Sequence, residues 1–415
     1  MTVTPVTHAP ARGRLSRISV DVGLVALSLF LAWTMAARGL SAHLAQSEPR
    51  TAIALAPDNG DAALALSASA LAEGRAEDAA TLARRTLAAD PFNAGALREL
   101  GLALDRQGEG DAADKVMSAA ALLGWRDVPT QAWLVNRRLR QGRTEEAFIR
   151  LDALLRGDVD DAMRGRIFAL MDAAAGLSAS FPAVVGRLAT DPPWRAAFLD
   201  QLPATAGGEA SAYAVLAALR SGPAPPRPME ITSLVNRLFN AGEYGRAAAS
   251  WTALSPLARD AGVWPHDGDF RFDADNTVFT WDTPQGVGAA ADVEAAPAPG
   301  EGRALRIEYD GYALPDLPRQ LLTLGPGAYR LSWRQMTEAG DGARLAWTVQ
   351  CAGNGPALGR GAGTAAESSW TPVSFAFAVP PAGCSAQWLQ LTAIPGERRQ
   401  SIVAWYQGFR GVAAP

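Results

Sequence analysis

Five oxygen-bearing side chains lie close together near residue 270: Asp267, Asp269, Asp273, Asp275 and Asn276. Hard oxygen ligands at alternating positions suit a calcium ion. The full helix-loop-helix calcium pattern is absent, however, and acidic turns that face solvent are common. The four aspartates therefore predict either a structural calcium site or a solvated loop, and no other cofactor is expected.

Aromatic and amide side chains elsewhere suggest sugar recognition. A glycan site needs an aromatic face for the apolar side of a pyranose ring, with amides and guanidinium groups for the hydroxyls. The candidate glycan-binding residues are Trp388, Gln390, Gln350, Arg334, Tyr406, Trp281 and Tyr312. Trp388 can also pack under a loop or against a helical domain, so sugar binding is one of two interpretations.

Residues suited to catalysis are scarce. The three histidines are His8, His43 and His266, which form no cluster for a zinc site. The chain has no Gly-x-Ser-x-Gly elbow, phosphate loop or Cys-x-x-Cys motif. Carboxylate pairs such as Asp160-Asp161 hydrolyse glycosides only at a particular separation, which sequence does not give. The sequence predicts a non-enzymatic protein, with a carbohydrate-active enzyme as the alternative.

Charge and cysteine content limit the partners and the compartment. The net charge is −4 and no strongly basic run occurs, which argues against a nucleic-acid partner. The two cysteines are Cys351 and Cys384. An even pair in an exported domain predicts one disulfide, with two free buried cysteines as the alternative.

The candidate sugar-binding residues and both cysteines fall in a region of alternating apolar and polar residues that begins near residue 265. Clear period-two segments are 305–309, 329–333, 345–349 and 373–377. About eight short strands, separated by turns rich in glycine and proline, predict a β-sandwich. Strand parity places the apolar face in the core. The opposite face then carries Arg334, Gln350, Trp388, Gln390 and Tyr406.

Residues 265–412 also resemble the jelly rolls of carbohydrate-binding modules. The resemblance rests on Phe279-Thr280-Trp281, on residues 302–307, on residues 320–332 around Gly325-Pro326-Gly327, and on Trp370. It implies an antiparallel jelly-roll β-sandwich. It also implies a possible glycan-binding surface, although that surface varies between members of the family.

The preceding region repeats every 34 residues. The turn glycines of this repeat are Gly74, Gly108 and Gly142, each followed five residues later by an alanine. Ala45, Pro57 and Asn59 carry the same phase back toward the amino terminus. Glycine can end a helix in the left-handed conformation, and alanine lets the next helix pack closely. A period of this length predicts stacked helical hairpins.

Packing residues within one unit carry a second resemblance. Leu97, Leu100, Gly101, Leu104, Ala113 and Ala120 fall where tetratricopeptide repeats (TPRs) place theirs. The resemblance covers residues 57–156 and implies a solenoid whose concave groove binds a protein partner. Residues 157–262 keep a helical composition but lose the period, and we interpret them as degenerate repeats. An unrelated alanine-rich helical bundle is the alternative.

An apolar segment precedes the repeats. Residues 22–37 carry no charge, and with residues 18–21 they approach the roughly 20 residues that span a bilayer. Arg12, Arg14 and Arg17 precede the segment, so the positive-inside rule predicts a cytoplasmic amino terminus and a periplasmic bulk. The alternatives are a signal peptide cleaved after Thr34-Met35-Ala36 and a buried helix of a soluble protein.

These features predict a multidomain α plus β protein. Its parts are a cytoplasmic tail (1–17), a transmembrane helix (18–39), TPR repeats (40–156), degenerate helical repeats (157–262) and a jelly-roll sandwich (263–415). The combination resembles proteins associated with exopolysaccharide or capsule assembly in alphaproteobacteria. It implies a single-pass inner-membrane scaffold that binds protein through the TPR groove and polysaccharide or protein through the sandwich. A protein-only adaptor in secretion or envelope biogenesis is the alternative.

Overall fold

Two compact units make up the structure, a computed structural model that describes residues 13–258, 263–353, 355–363 and 367–414. The first unit is Met1–Asp161 and the second is Ala162–Pro415. Residues 1–12, most of the predicted cytoplasmic tail, lie outside the described residues. Helices come first along the chain and strands follow, as predicted. The finer domain boundaries at residues 157 and 263 stay predictions.

Helices of the first unit follow the period of the sequence. They are α1 (Gly13–Leu44), α2 (Pro49–Leu55), α3 (Gly60–Ala72), α4 (Ala76–Ala89), α5 (Ala94–Arg106), α6 (Gly110–Leu123), α7 (Val128–Arg140) and α8 (Thr144–Leu155). Helices α3, α5 and α7 start 34 residues apart, and so do α4, α6 and α8. The first unit is therefore a stack of TPR-like helical hairpins.

A capping side chain starts the first helix of each hairpin. Asn59, Asn93 and Asp127 each accept a hydrogen bond from the backbone N–H three residues later, at 3.0, 2.9 and 3.1 Å. Such an N-cap satisfies a backbone donor that the helix leaves unpaired and contributes about 1 kcal/mol. These caps recur at the 34-residue period and fix where each hairpin begins.

The turn glycines end the same helices. Gly74, Gly108 and Gly142 have φ of 79°, 83° and 72°, in the left-handed region that glycine enters without steric cost. The alanines five residues later are fully buried. At Gly101, an added Cβ would lie 2.6 Å from Met117, so glycine is needed where α5 crosses α6.

Helix α1 enters this stack without a break. The segment Val22–Leu44 is long and apolar enough to cross a membrane by length and composition, and only 6% of its apolar window is buried. It is therefore not a buried core helix. Its carboxyl-terminal end packs into the stack, where the Ser41 hydroxyl donates to the Ala52 carbonyl at 2.7 Å and accepts from Asn59 Nδ2 at 2.7 Å.

The second unit begins with shorter helices. They are α9 (Asp161–Ala175), α10 (Phe181–Leu188), α11 (Arg195–Gln201), α12 (Gly208–Arg220), α13 (Pro228–Asn240) and α14 (Tyr244–Leu254). Helices α13 and α14 form one more hairpin of the repeat type, with Gly242 at φ 76° and Ala247 fully buried. The repeat pattern thus reappears immediately before the strands.

A buried ion pair ties these helices together. The guanidinium of Arg195 in α11 donates to the Glu230 carboxylate of α13 at 2.9 and 2.7 Å. It also donates to the carbonyls of Ala224 and Pro225 at 3.0 and 3.2 Å. Both side chains are buried, and the pair fastens the proline-rich loop between α12 and α13 onto α11.

Nine described strands form two sheets. They are β1 (Ala289–Ala295), β2 (Arg303–Tyr309), β3 (Arg319–Leu322), β4 (Gly327–Ala339), β5 (Leu345–Cys351), β6 (Ala357–Ala362), β7 (Glu367–Val379), β8 (Gln387–Ala393) and β9 (Ile402–Ala413). The larger sheet has the order β1-β2-β9-β4-β7 and the smaller β3-β8-β5-β6. All pairings are antiparallel, which makes the domain a jelly-roll sandwich.

The inner faces of both sheets form one core. Its fully buried aromatic residues include Trp333, Trp347 and Phe409, and the predicted inward faces of β4, β5, β7 and β8 are confirmed. A disulfide joins Cys351, at the end of β5, to Cys384, just before β8. Closing a loop of this length restricts the unfolded chain by roughly 3 to 4 kcal/mol.

Replacing a turn glycine should weaken the stack. We expect Gly108→Ala to lower the free energy of unfolding of the helical region by about 1 kcal/mol, because alanine resists a positive φ. The measurement is urea denaturation followed by far-ultraviolet circular dichroism.

A helical glycine provides the control. Gly165 lies inside α9, and an added Cβ there meets no atom within 4 Å. Gly165→Ala should therefore raise the free energy of unfolding by up to about 1 kcal/mol. Equal effects of the two variants would contradict the assigned role of Gly108.

Candidate functional site

Three of the predicted glycan-binding residues share the outer face of the smaller sheet. Trp388 and Gln390 lie in β8, and Gln350 of β5 is paired with Trp388 across the strands. The Gln390 amide Nε2 donates to Gln350 Oε1 at 3.2 Å. All three side chains are half-buried, so an indole and two amides lie side by side at the surface.

Arg319 completes this group from the neighbouring strand. It is paired with Gln390 in the β3–β8 ladder, and its guanidinium carbon lies 4.8 Å from the centre of the Trp388 ring. A second contact, from Nε to Asp282 Oδ2 at 3.2 Å, orients the guanidinium. A cation over an indole face is attracted by the ring quadrupole. Sequence analysis missed Arg319, because only the strand pairing brings it beside Trp388.

Trp388, Arg319 and Asp282 line a cavity of about 510 Å³ within the second unit, whereas Gln350 and Gln390 lie outside its lining. Its opposite wall is α13, where Phe239 meets the Trp388 ring edge to face at 5.8 Å and Asn236 and Asn240 contribute amides. An aromatic ring, a guanidinium, a carboxylate and several amides therefore converge on one concave site. Such a mixture is typical of pockets that orient a polar ligand.

Arg334 lies on the other sheet. Its guanidinium carbon is 5.6 Å from the Trp370 ring on the outer face of the larger sheet. There Trp370 packs in a small apolar cluster with Trp405, whose Nε1 donates to Glu338 at 2.8 Å. The structure thus separates Arg334 from Trp388. Arg334 instead lies over a buried aromatic cluster, which forms because β4 is paired with both β9 and β7.

Tyr406 and Trp281 lie in the core, which corrects the placement of Tyr406 on the outer face of its strand, while Trp281 is also among the residues that line the cavity at Trp388. The side chains of Ile402, Ala404 and Tyr406 all lie on the inner face of β9. A bulge after Gln407 then shifts the alternation by one residue, so that Phe409 lies on the inner face as well. Burial raises the pKa of the Tyr406 hydroxyl well above its usual range. The Trp281 indole is also buried, and its Nε1 donates to the Asp267 carbonyl at 3.0 Å.

Tyr312 is exposed in the loop between β2 and β3. Asp310 shapes this loop by accepting hydrogen bonds from the backbone N–H groups of Ala313 and Tyr312, both at 2.9 Å. The same two bonds lower the pKa of the Asp310 carboxyl. Tyr312 is not among the residues that line the cavity at Trp388.

The aspartates of the predicted calcium site have separate partners. Asp267 accepts hydrogen bonds from two backbone N–H groups of its own turn, at 2.8 and 2.9 Å. Asp269 pairs with Arg410 at 2.5 Å, and Asp273 lies 3.8 Å from Arg303. Within the described ranges, no three His, Cys, Asp or Glu side chains are arranged to hold a metal ion. The four carboxylates thus each have their own partners, and the calcium site stays a prediction.

Asp275 is a buried structural acceptor. Its Oδ2 accepts from Trp251 Nε1 of α14 at 2.8 Å and from the Ser255 hydroxyl at 3.3 Å. Its Oδ1 accepts from the Thr277 N–H and hydroxyl, at 3.0 and 2.6 Å, and from the Thr280 hydroxyl at 3.0 Å. One carboxylate thus joins the last helix to the first loop of the sandwich. Its helical partners are distant in sequence, so the motif alone did not reveal this role.

A second concave site lies within the first unit. A groove of about 540 Å³ runs beside α2, α3 and α4. Its charged lining residues are Glu48, Arg50, Glu73 and Arg75, and its apolar ones include Leu66 and Leu82. Mixed charge around apolar side chains suits an extended or helical peptide.

Solved structures resemble separate parts of the chain. The CBM22-1 xylan-binding domain of Paenibacillus barcinonensis Xyn10C is 21% identical, with a TM-score of 0.25, over 32% of this chain and 87% of its own. Pseudomonas aeruginosa pilF is 18% identical, with a TM-score of 0.24, over 47% of this chain and 74% of its own. The P58(IPK) TPR domain is 14% identical, with a TM-score of 0.25, over 49% and 62%.

No protein-family model matches the chain, and no curated protein matches it. The architecture described above therefore rests on the element order and strand pairing of this chain alone.

Removing the Asp275 carboxylate should destabilise the second unit. We expect Asp275→Ala to lower the free energy of unfolding by about 3 kcal/mol, because buried donors lose their acceptor. Chemical denaturation followed by tryptophan fluorescence measures this change.

Asp273→Ala is the matched control, because the Asp273 side chain is almost fully exposed. It should change stability by less than about 0.5 kcal/mol. A calcium-dependent rise in Tm that Asp275→Ala abolishes would show instead that Asp275 is a metal ligand.

Proposed function

We propose that the chain is a non-enzymatic scaffold, anchored in a membrane by α1, that binds a glycan through its sandwich and a protein through its helical stack. The observation that carries the glycan part is the convergence of Trp388, Arg319 and the amides of Asn236 and Asn240 on one cavity. The indole offers an apolar face, while the amides and guanidinium suit sugar hydroxyls. The bound glycan would lie between β8 and α13.

Anchoring by α1 is supported by its exposure and its continuity. Its apolar residues from Val22 to Met35 are mostly exposed, whereas its last turns are held in the stack by Ser41. The candidate cleavage sequence Thr34-Met35-Ala36 lies inside an uninterrupted helix, and proteolysis favours exposed loops. These observations favour an uncleaved anchor over a signal peptide.

Protein binding by the stack is the second part of the proposal. The groove beside α2, α3 and α4 presents two acidic and two basic side chains around Leu66 and Leu82. A peptide with alternating charges and apolar anchors would match it. Such a partner would be held next to the anchor helix, because α2 and α3 pack directly against α1.

Within this proposal, the cellular role is support of exopolysaccharide or capsule assembly, with the amino terminus cytoplasmic and the bulk of the chain periplasmic. The competing role is a protein-only adaptor in secretion or envelope biogenesis. Neighbouring genes for glycosyltransferases and a polysaccharide exporter would favour the first role. Neighbouring secretion genes would favour the second.

Calorimetry of the full chain in detergent with bacterial polysaccharides tests the glycan site. We expect Trp388→Ala to weaken binding on the order of tenfold, because the stacking face is lost. Trp388→Phe, which keeps an aromatic face, should retain more affinity than the alanine variant.

Tyr312→Ala is the control, because Tyr312 is aromatic and exposed but lies outside the cavity. It should bind as the unmodified protein does. Absence of heat with every polysaccharide, or equal heat from Trp388→Ala and the unmodified protein, would reject the sugar site and leave the protein-only adaptor.

A further inference from the structure

The two edges of the helical stack differ in polarity. We call the edge formed by turns 56–59, 90–93 and 124–127 the N-cap edge, and the edge formed by turns 73–75, 107–109 and 141–143 the glycine edge. The glycine edge carries only polar residues around its glycines: Glu73, Arg75, Gln107, Glu109, Gln141 and Arg143. The N-cap edge also has exposed charged residues, Asp58, Asp90 and Arg126, but in addition it exposes large apolar side chains.

Three of these side chains are strongly exposed. Phe92 is 77% exposed in its turn, Leu122 is 78% exposed near the end of α6, and Trp125 is 44% exposed in the next turn. Leu123, beside them, is 47% exposed. Contiguous exposed apolar residues on one side of a soluble domain mark a surface that contacts a partner or a membrane.

Helix α1 leaves the stack at this same edge. Ser41 contacts Ala52, and three residues earlier Arg38 pairs with Asp58 at 2.9 Å. Residues of α1 that are closer to its amino terminus therefore lie closer to the turn at residues 56–59. The residues of α1 before Arg38 project beyond the N-cap edge, and these are its exposed apolar residues.

The repeat then places further turns at the level of the membrane. Asp58 pairs with Arg38, which lies near the end of the predicted membrane span. In the repeat, Phe92 occupies the position of Asp58 one period later, and Arg126 occupies it two periods later. Trp125 likewise occupies the position that Pro57 and Pro91 occupy in the two preceding repeats. Because the helices stack side by side with α1, the stack grows sideways from the anchor, along the bilayer surface.

We propose that the N-cap edge of the helical stack lies on the bilayer surface, with Phe92, Leu122 and Trp125 inserted among the lipid headgroups. Tryptophan and other large apolar residues favour this interfacial layer, where their apolar surface leaves water. The exposed Arg126 beside Trp125 suits lipid phosphates. This inference rests on the proposed anchoring by α1. It would hold the stack upright on the membrane, with the glycine edge toward solvent.

Fluorescent labels on the full chain in lipid nanodiscs test this arrangement. Both native cysteines are in the disulfide, so a single introduced cysteine can be labelled selectively. Ala89 and Ala72 are matched sites, since each is exposed and ends a helix, at the N-cap edge and the glycine edge respectively. Lipids carrying a nitroxide quench a label that lies within the headgroup layer.

We expect the label at Ala89→Cys to lose more than about half of its fluorescence, as interfacial burial requires, while the label at Ala72→Cys stays bright. Combined Phe92→Ala, Leu122→Ala and Trp125→Ala substitutions should bring the Ala89→Cys label close to the Ala72→Cys value. Circular dichroism checks that this variant keeps its helices, as expected for exposed positions.

A label at Leu29→Cys, inside the apolar part of α1, separates the two proposals when it is measured with lipids that carry the nitroxide on the acyl chain, because Leu29 would lie in the hydrocarbon core. If it is not quenched, or if the mature chain lacks residue 29, the anchoring itself fails. If it is quenched while the Ala89→Cys and Ala72→Cys labels stay equally bright, the anchor holds and the docking proposal is overturned. The apolar edge would then be a protein-binding surface.

Discussion

A buried serine hydroxyl fixes the relation between helix α1 and the rest of the first unit. Ser41 donates to the Ala52 carbonyl and accepts from the Asn59 amide, while Asn59 also caps α3. Because a buried polar group is costly unless it is bonded, α1 cannot rotate or slide without breaking this set. The same set links α1 to the first N-cap of the repeat. The direction in which α1 leaves the stack, and hence the edge beyond which its exposed apolar residues project, follows from these contacts.

Asp275 has the corresponding role in the second unit. Its carboxylate receives donors from α14 on one side and from the first loop of the sandwich on the other. The last helical hairpin is thereby held against the sheet that carries Trp388, where Phe239 meets the indole. The cavity between α13 and β8 adjoins this junction, since Thr277 and Thr280, which donate to Asp275, also line it. One of the two alternatives from the sequence, packing of Trp388 against a helix, therefore occurs, and the cavity beside the indole is lined by polar groups.

The elements that the sequence failed to predict have a common physical cause. Strands β1 and β6 are rich in alanine and glycine, which are unfavourable in strands, and both are edge strands. In β6 the glycines are required by close packing: an added Cβ at Gly361 would lie 2.3 Å from Trp333, and one at Gly359 would lie 2.7 Å from Phe375. Tyr406 was misplaced for a related reason. A bulge in β9 shifts the alternation, and a shift of one residue exchanges the two faces of a strand.

Local chemistry in the sequence was enough to determine the helical stack, the sandwich and the apolar helix. Glycine at a left-handed turn, asparagine at an N-cap and period-two apolarity each act within a few residues, so their positions predict elements directly. The polarity of individual residues near Trp388 was also visible. Contacts between segments distant along the chain were not. Arg319 reaches Trp388 through strand pairing, Asp275 reaches Trp251 across the junction, and Phe92 shares an edge with the exit of α1 through stacking. Only the tertiary structure decided these, because each depends on how separate elements pack.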